Sequence, residues 1–395
     1  MTDWDRRYAS RMSRVVASDI RERMKLLADP EIVHLGGGLP DPVLFPRERI
    51  ADATARILND PTRSRTALQY ASSEGHLPLR EWIVGYMATI GVPCTTDNIL
   101  ITSGSQQGLD FIGRLFLSPG DRMMVERPSF IGALRAFDTC EPTYVPLPSG
   151  AGDARGAKFA YIGSDFRNPT GTCLTLEERN ALLDMAYSLD FVLVEDGCYE
   201  KLRFDGTDLP SLLALECARR GGVDAGRVVY TNTFSKTIVP SLRVGWIVAP
   251  TPVIRKLVLI KQASDLATSA LSQMVLLDVA KECLDAEVTR ARAFYRARRD
   301  SMLAALDEHM PPWVEWTRPE GGFYLWMTLP KEMDGGVLAD RALKEAKVSF
   351  VAGAAFYAED PVRNTIRLSY SLASEETARE GVRRLGNALR QMRGN

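Results

Sequence analysis

Histidine is nearly missing from this 395-residue chain: only His34, His76 and His309 occur, and none stands at ligand spacing from a second. A metal centre is therefore not expected. The six cysteines (Cys94, Cys140, Cys173, Cys198, Cys217, Cys283) are scattered and form no Cys-x-x-Cys pair. No apolar run is long enough to cross a bilayer, and the N-terminus Met-Thr-Asp-Trp-Asp-Arg-Arg lacks the apolar core of a secretory signal. Reduced thiols in a cytoplasmic protein are the expectation. Excess charge of either sign is lacking too. Lys and Arg number 49 against 50 Asp and Glu, a formal net charge of -1, which offers no global field for nucleic acid or an anionic membrane. Internal repeats and low-complexity segments are also absent.

What the chain does have is a loop of distinctive composition. Val228-Val-Tyr230 enters it and the run Val244 to Ala249 leaves it, so it reads as a connection between two strands. Inside lie Thr233, Ser235, Lys236 and Thr237, with Arg243 close behind. An amine of this kind condenses with an aldehyde, and hydroxyls with a guanidinium hold a phosphate. Pyridoxal phosphate carries both groups. A surface lysine in a Ser/Thr-rich loop is the plainer alternative, so the other partners of such a cofactor must be sought elsewhere.

From Ser18 the spacing of Ile20, Met24 and Leu27 predicts a helix ending near Asp29-Pro30, followed by the loop Gly36-Gly-Gly-Leu-Pro-Asp-Pro42. A second helix is expected from about Leu79, with Trp82, Ile83, Tyr86 and Met87 on one face. The strand Asn98-Ile-Leu-Ile-Thr102 runs into Ser103-Gly-Ser-Gln-Gln107 and a helical pattern at Leu109, Ile112, Leu115 and Phe116. A strand, a Gly/Ser turn and a helix N-terminus make an anion site, and this turn has neither G-x-G-x-x-G nor Gly-Lys-Ser/Thr. Strands are predicted at 122–126, 159–163, 191–195, 228–231 and 244–249, with a helix from Thr175 opened by a Thr175/Glu178 capping box. This alternation predicts an α/β fold with a mostly parallel sheet, whose ligands sit at strand carboxyl ends. Ser105, Gln106, Phe130, Asn168, Asp196, Tyr199 and Lys236 all lie just after such strands. Beyond Pro252 one long helical region reaches about Glu308. Strand-like pieces at 322–327, 348–351 and 365–369 then suggest an α+β part.

Asp196, after an apolar strand, suits a protonated pyridine nitrogen, although a helix-capping acid looks the same in sequence. Tyr199 and the Asn168 of Asn-Pro-Thr-Gly suit the cofactor's 3-oxygen, against a simple turn. Phe130 suits stacking on a ring, against ordinary core. Their joint order is what argues for a site.

With those residues in view, the chain resembles the fold-type I pyridoxal-phosphate (PLP) aminotransferases of class I/II. Within them it resembles the branch holding 2-aminoadipate and kynurenine aminotransferases and the aminotransferase-like domains of MocR-type regulators. The likeness runs through Ser18-Asp-Ile-Arg21, Gly37-Gly-Leu-Pro-Asp-Pro42, Leu68-Gln-Tyr70, Ser103-Gly-Ser-Gln-Gln107, Asn168-Pro-Thr-Gly171, Glu195-Asp196, Ser235-Lys236, Arg243 and Arg367. It implies an aspartate aminotransferase-like fold, with a large PLP-binding domain over 46–290 and a small domain from 1–45 and 291–395. It implies an aldimine on Lys236, which also shuttles the proton at the substrate Cα. It assigns the phosphate to Ser105, Gln106, Thr233, Ser235 and Arg243, and to Tyr70 from the partner of a homodimer. Asn168 and Tyr199 would meet the 3-oxygen, Asp196 the ring nitrogen and Phe130 the ring face. Arg367 would clamp the substrate α-carboxylate, Asn168 would also meet the substrate, Gly38 would line the pocket, and Arg21 would meet the substrate side chain. An α-amino acid would pass its amino group to a 2-oxo acid, in amino acid metabolism or biosynthesis.

Three features depart from the branch. Phe130 stands where tyrosine is usual, and the run Tyr161-Ile-Gly-Ser-Asp-Phe-Arg-Asn168 lacks the usual proline near Gly163 and the glutamine at 167. The stretch before Gly36 is too short for a winged helix, which speaks against a regulator. Another PLP reaction (lyase, oxidase or cyclase), at which Phe130 hints, and a non-catalytic ligand sensor are the alternatives.

Overall fold

The computed structural model describes residues 2–15, 29–147 and 154–394. Strand β1 (Val33–His34) is short and belongs with the C-terminal part of the chain. The next seven, β2 (Ile99–Thr102), β3 (Arg122–Glu126), β4 (Thr143–Leu147), β5 (Ala157–Ile162), β6 (Val192–Asp196), β7 (Val228–Thr233) and β8 (Gly245–Val248), form one sheet in the order β2-β8-β7-β6-β5-β3-β4. Only β8 runs against its neighbours, so the other six end on one edge. Both faces are covered, which is why these strands are almost continuously apolar rather than alternating. Leu100, Met123, Phe159, Val194 and Ile247 pack beneath the helices Ser105–Phe116, Ile131–Asp138 and Thr251–Ser264. Ile101, Met124, Ala160, Leu193 and Trp246 face the other way, toward Ile83, Met87, Leu183, Leu213 and Met274.

The rest of the chain adds β9 (Glu315–Trp316), β10 (Tyr324–Thr328), β11 (Val348–Ser349), β12 (Val351–Ala352) and β13 (Thr365–Ser369). An antiparallel sheet is ordered β12-β13-β10-β9, while β11 pairs in parallel with β1. A separate apolar cluster gathers Val33 and Leu35 with Tyr295, Phe323, Phe350, Leu368 and Leu385. The helix Ala270–His309 supplies Met274 and Leu284 to the first cluster and Tyr295 and Leu306 to the second.

Two expected elements are divided. The helical region after Pro252 is two helices, Thr251–Ser264 and Ala270–His309. Lys261 ends the first by donating to Asp265 Oδ1 (2.9 Å), Thr268 Oγ1 (3.0 Å) and Gln107 Oε1 (3.0 Å), and Leu266 adopts φ 64. The run 348–351 is two strands of different sheets, broken at Phe350, whose backbone packs closely on Gly36. The helix expected over 18–30 lies largely outside the described residues.

The segment that leads from β5 through Asn168 to the Thr175 helix is fixed by buried ions. Asp165 Oδ1 accepts from Arg179 Nη2 (2.8 Å) and Arg203 Nη2 (3.1 Å), and Arg179 also donates to the carbonyls of Ser164, Leu174 and Pro210. Removing the carboxylate strands the buried Arg179 guanidinium, whose other partners among the described residues are carbonyls, while Arg203 keeps Glu320 (2.9 Å) and Asp208 (3.3 Å). Asp165→Ala is expected to lower unfolding free energy by about 3 kcal/mol or more, measured by urea denaturation; a loss below about 1 kcal/mol would contradict this account.

Candidate active site

A cavity of about 330 Å³ opens at the common strand edge. One end is built by the chain after β2. Gly104 adopts φ 84, a conformation L side chains rarely take, and a Cβ there would overlap the Arg243 guanidinium. The turn delivers Ser105 and Gln106 as the first residues of the helix Ser105–Phe116, whose leading N–H groups have no partner within the helix. Arg243, itself at φ 55, donates to the carbonyls of Ser103 (3.2 Å) and Pro240 (3.4 Å), and no carboxylate among the described residues pairs with it. Thr233 and Ser235 hydroxyls, 2.9 Å apart, line the same end, and Cys198 Sγ donates to Ser105 Oγ at 3.4 Å. Gln106 Nε2 donates to Gly132 O at 2.7 Å, which ties this turn to the segment carrying Phe130 on the cavity wall.

Asp196 closes β6. Its carboxylate accepts from Tyr161 Oη (2.8 Å) and the Cys198 N–H (3.2 Å). Burial pushes its pKa above the usual carboxylate range, against the pull of those hydrogen bonds and of the Lys236 charge. Lys236 ends the 3-10 turn Phe234–Lys236, and its Nζ donates to Gly38 O at 3.3 Å. The same ammonium lies 5.8 Å from the Tyr199 ring centroid and 5.7 Å from that of Phe323. Alongside, Glu126 is buried and held by Arg167 (2.6 Å) and the Gly163 N–H (3.1 Å).

The opposite wall comes from β13. Arg367 is 1% exposed, yet no carboxylate among the described residues pairs with it. It donates to Asn168 Oδ1 (2.7 Å) and Gly36 O (2.6 Å), its Nε has no partner among the described residues, and its guanidinium carbon lies 4.3 Å from the Tyr324 ring centroid. Burial pulls its pKa down, the signature of a cation lacking a counter-ion. Gly38 lines the same cavity, and a Cβ there would overlap the Tyr324 hydroxyl.

The site thus holds one amine, the Asp196 carboxylate that no arginine among the described residues pairs with, and two guanidiniums that no acid among those residues neutralises. The family model described as "Aminotransferase class I and II" matches residues 44–385. A 2-aminoadipate transaminase of Thermus thermophilus is 41% identical over 98% of this chain and 97% of its own length. The chain belongs to the class I and II aminotransferases. An aromatic-amino-acid aminotransferase of Thermococcus litoralis is 37% identical over 98% of this chain and 95% of its own. The crystal structure of an α-aminoadipate aminotransferase from Thermus thermophilus, complexed with N-(5'-phosphopyridoxyl)-L-leucine, superposes with a TM-score of 0.90. It shares 39% identity, and the match covers 100% of both chains. The fold is accordingly the aspartate aminotransferase-like fold type I, the reaction is transamination and the cofactor pyridoxal phosphate. Lyase, oxidase, cyclase or purely sensory readings are not favoured.

The residues of this aminotransferase fit that cofactor. Arg243 and a helix N-terminus can meet an anion, Asp196 is a half-buried acceptor suited to a protonated ring nitrogen, and among the described residues Lys236 Nζ makes one weak hydrogen bond. Every residue expected at the site lines this one cavity, apart from two. Tyr70 is 82% exposed on the protein surface and is not part of the lining, and Arg21 lies outside the described residues. Tyr161, Glu126, Cys198 and Tyr324 also line it and were not anticipated. Tyr161 sits inside an apolar strand and reads as core, and Glu126 ends one.

Glu200, behind Tyr199, accepts from Tyr86 Oη and Asn232 Nδ2, both at 3.2 Å, and burial pushes its pKa up to about 7. Its protonated form therefore contributes stability that is whole below the ordinary value of 4.5 and is lost as the pH rises toward 7. Glu200→Gln should gain stability relative to the parent between pH 5 and pH 8 in paired urea titrations; a constant difference would contradict this assignment.

Proposed function

We propose that this aminotransferase moves an amino group from an α-amino acid to a 2-oxo acid at the cavity centred on Lys236, as a cytoplasmic homodimer. Pyridoxal phosphate, when bound, supplies a carbonyl carbon for the amino group and an electron-withdrawing ring. Lys236 would hold the cofactor by that carbon and would move a proton at the substrate Cα through Nζ, which donates to Gly38 O at 3.3 Å. Asp196 keeps the ring nitrogen protonated, with Tyr161 fixing one carboxylate oxygen. Ser105, Gln106, Thr233, Ser235 and Arg243 hold the phosphate, Asn168 and Tyr199 the 3-oxygen, and Phe130 the ring face. Arg367 binds the α-carboxylate beside Gly38. The buried, acid-free Arg367 facing the same cavity as Lys236 is the observation that carries this reading.

Tyr70 completes the phosphate site of a partner subunit, a reading supported by its exposure at 82%. The six cysteines are all free thiols, in keeping with a reducing compartment. Arg21 meets the substrate side chain. The boundary between a large domain (46–290) and a small one (1–45 and 291–395) is supported by the two apolar clusters that share the helix Ala270–His309.

Lys236→Ala is expected to abolish the borohydride-reducible linkage between protein and cofactor, seen as loss of the labelled peptide. Persistence of label would move the linkage to another lysine. For Arg367→Ala, KM for every amino donor should rise roughly tenfold or more, since a charge-assisted hydrogen bond contributes about 1.5–3 kcal/mol. An unchanged KM would assign the carboxylate elsewhere. Incubating the loaded enzyme with donor alone should convert its absorption to the aminated cofactor's, with neither ammonia released nor oxygen consumed.

A further inference from the structure

Tyr324 has no role in the site as described so far, yet it touches both of its binding devices. It opens β10, is 3% exposed and pairs with Ser369, two residues from Arg367. Its ring lies beneath the Arg367 guanidinium, and its hydroxyl is 3.1 Å from the Tyr199 hydroxyl. A phenylalanine would fill the same space and offer the guanidinium the same face. The hydroxyl adds one thing, a buried polar atom that needs a partner, and the partner is Tyr199.

A phenol has a single proton to donate. If Tyr199 gives its proton to the cofactor's 3-oxygen, the proton between the two tyrosines must come from Tyr324. We propose that Tyr324 is a positioning residue that donates to Tyr199 and so strengthens Tyr199 as a donor to the 3-oxygen. This inference rests on the role given to Tyr199 above. In such a chain each bond polarises the next, and a stronger hydrogen bond to an oxyanion holds its conjugate acid at lower pKa. Arg367 over the Tyr324 face makes that phenol the better donor. The charged and titratable groups that act on Tyr199 are led by Tyr324, Cys198, Arg367 and Lys236, and the Glu200 carboxyl follows it directly in the chain.

The test follows the visible absorption of the bound cofactor against pH in the holoenzyme, for the parent chain, Tyr324→Phe, Tyr199→Phe and the double variant. Tyr324→Phe should raise the midpoint by a few tenths of a pH unit, about the 10–30% by which one hydrogen bond strengthens the next. Tyr199→Phe should raise it further, and the double variant should match Tyr199→Phe alone, because Tyr324 acts through Tyr199. A Tyr324→Phe titration superimposed on the parent's, or a double variant in which the two shifts add, overturns the proposal. Tyr324→Leu also lacks the hydroxyl and must move the midpoint the same way, so poor loading of one variant leaves the other to decide. No shift in Tyr199→Phe would instead overturn the role of Tyr199 itself.

Discussion

A guanidinium taken out of water without a carboxylate is costly, because its hydration is lost and neutral acceptors replace it only in part. The chain keeps one, Arg367, on carbonyl and amide oxygens alone. Much of the architecture serves to hold it there. The Asp165 ion network fixes the segment that presents Asn168, Gly36 approaches Phe350 closely enough to offer its carbonyl, and β10 supplies the aromatic face beneath. No carboxylate among the described residues neutralises the arginine.

The same economy recurs across the cavity. Arg243 too is left on backbone carbonyls, next to a helix N-terminus, while Asp196 is left with a phenol and an amide. Cations lacking anions at both ends, and an anion lacking a cation between, describe a dipolar ligand with two acidic groups and a basic ring nitrogen. Glu126 is the exception: its charge is matched within the protein by Arg167. That pairing keeps a second carboxylate near the Asp196 edge without competing for the same proton.

Legibility in the sequence followed the range of the interactions. The Lys236 turn, the Gly104 turn and the Thr175 capping box are local devices, and their residue types announce them. The mostly parallel character of the large sheet, and with it the shared edge, followed from the α/β alternation. Long-range pairings did not show. Arg367 meets Asn168 across 199 residues, and resemblance rather than spacing put the two in one site. β4 went unread because its exposed Thr143 and Pro146 break the apolar run, although the strand needs only one neighbour, β3, at the sheet edge. Tyr324 was hidden in an aromatic strand, where a hydroxyl carries no signal until its partner is known.

The most direct measurement of the central claim compares ligands that differ in one charge. The aminated form of the holoenzyme is titrated with a 2-oxo acid and with the corresponding neutral amide, and binding is followed by absorbance. If a buried, unneutralised Arg367 organises the site, the acid binds at least about tenfold more tightly than the amide, as a charge-assisted hydrogen bond requires. Equal affinities would contradict the account.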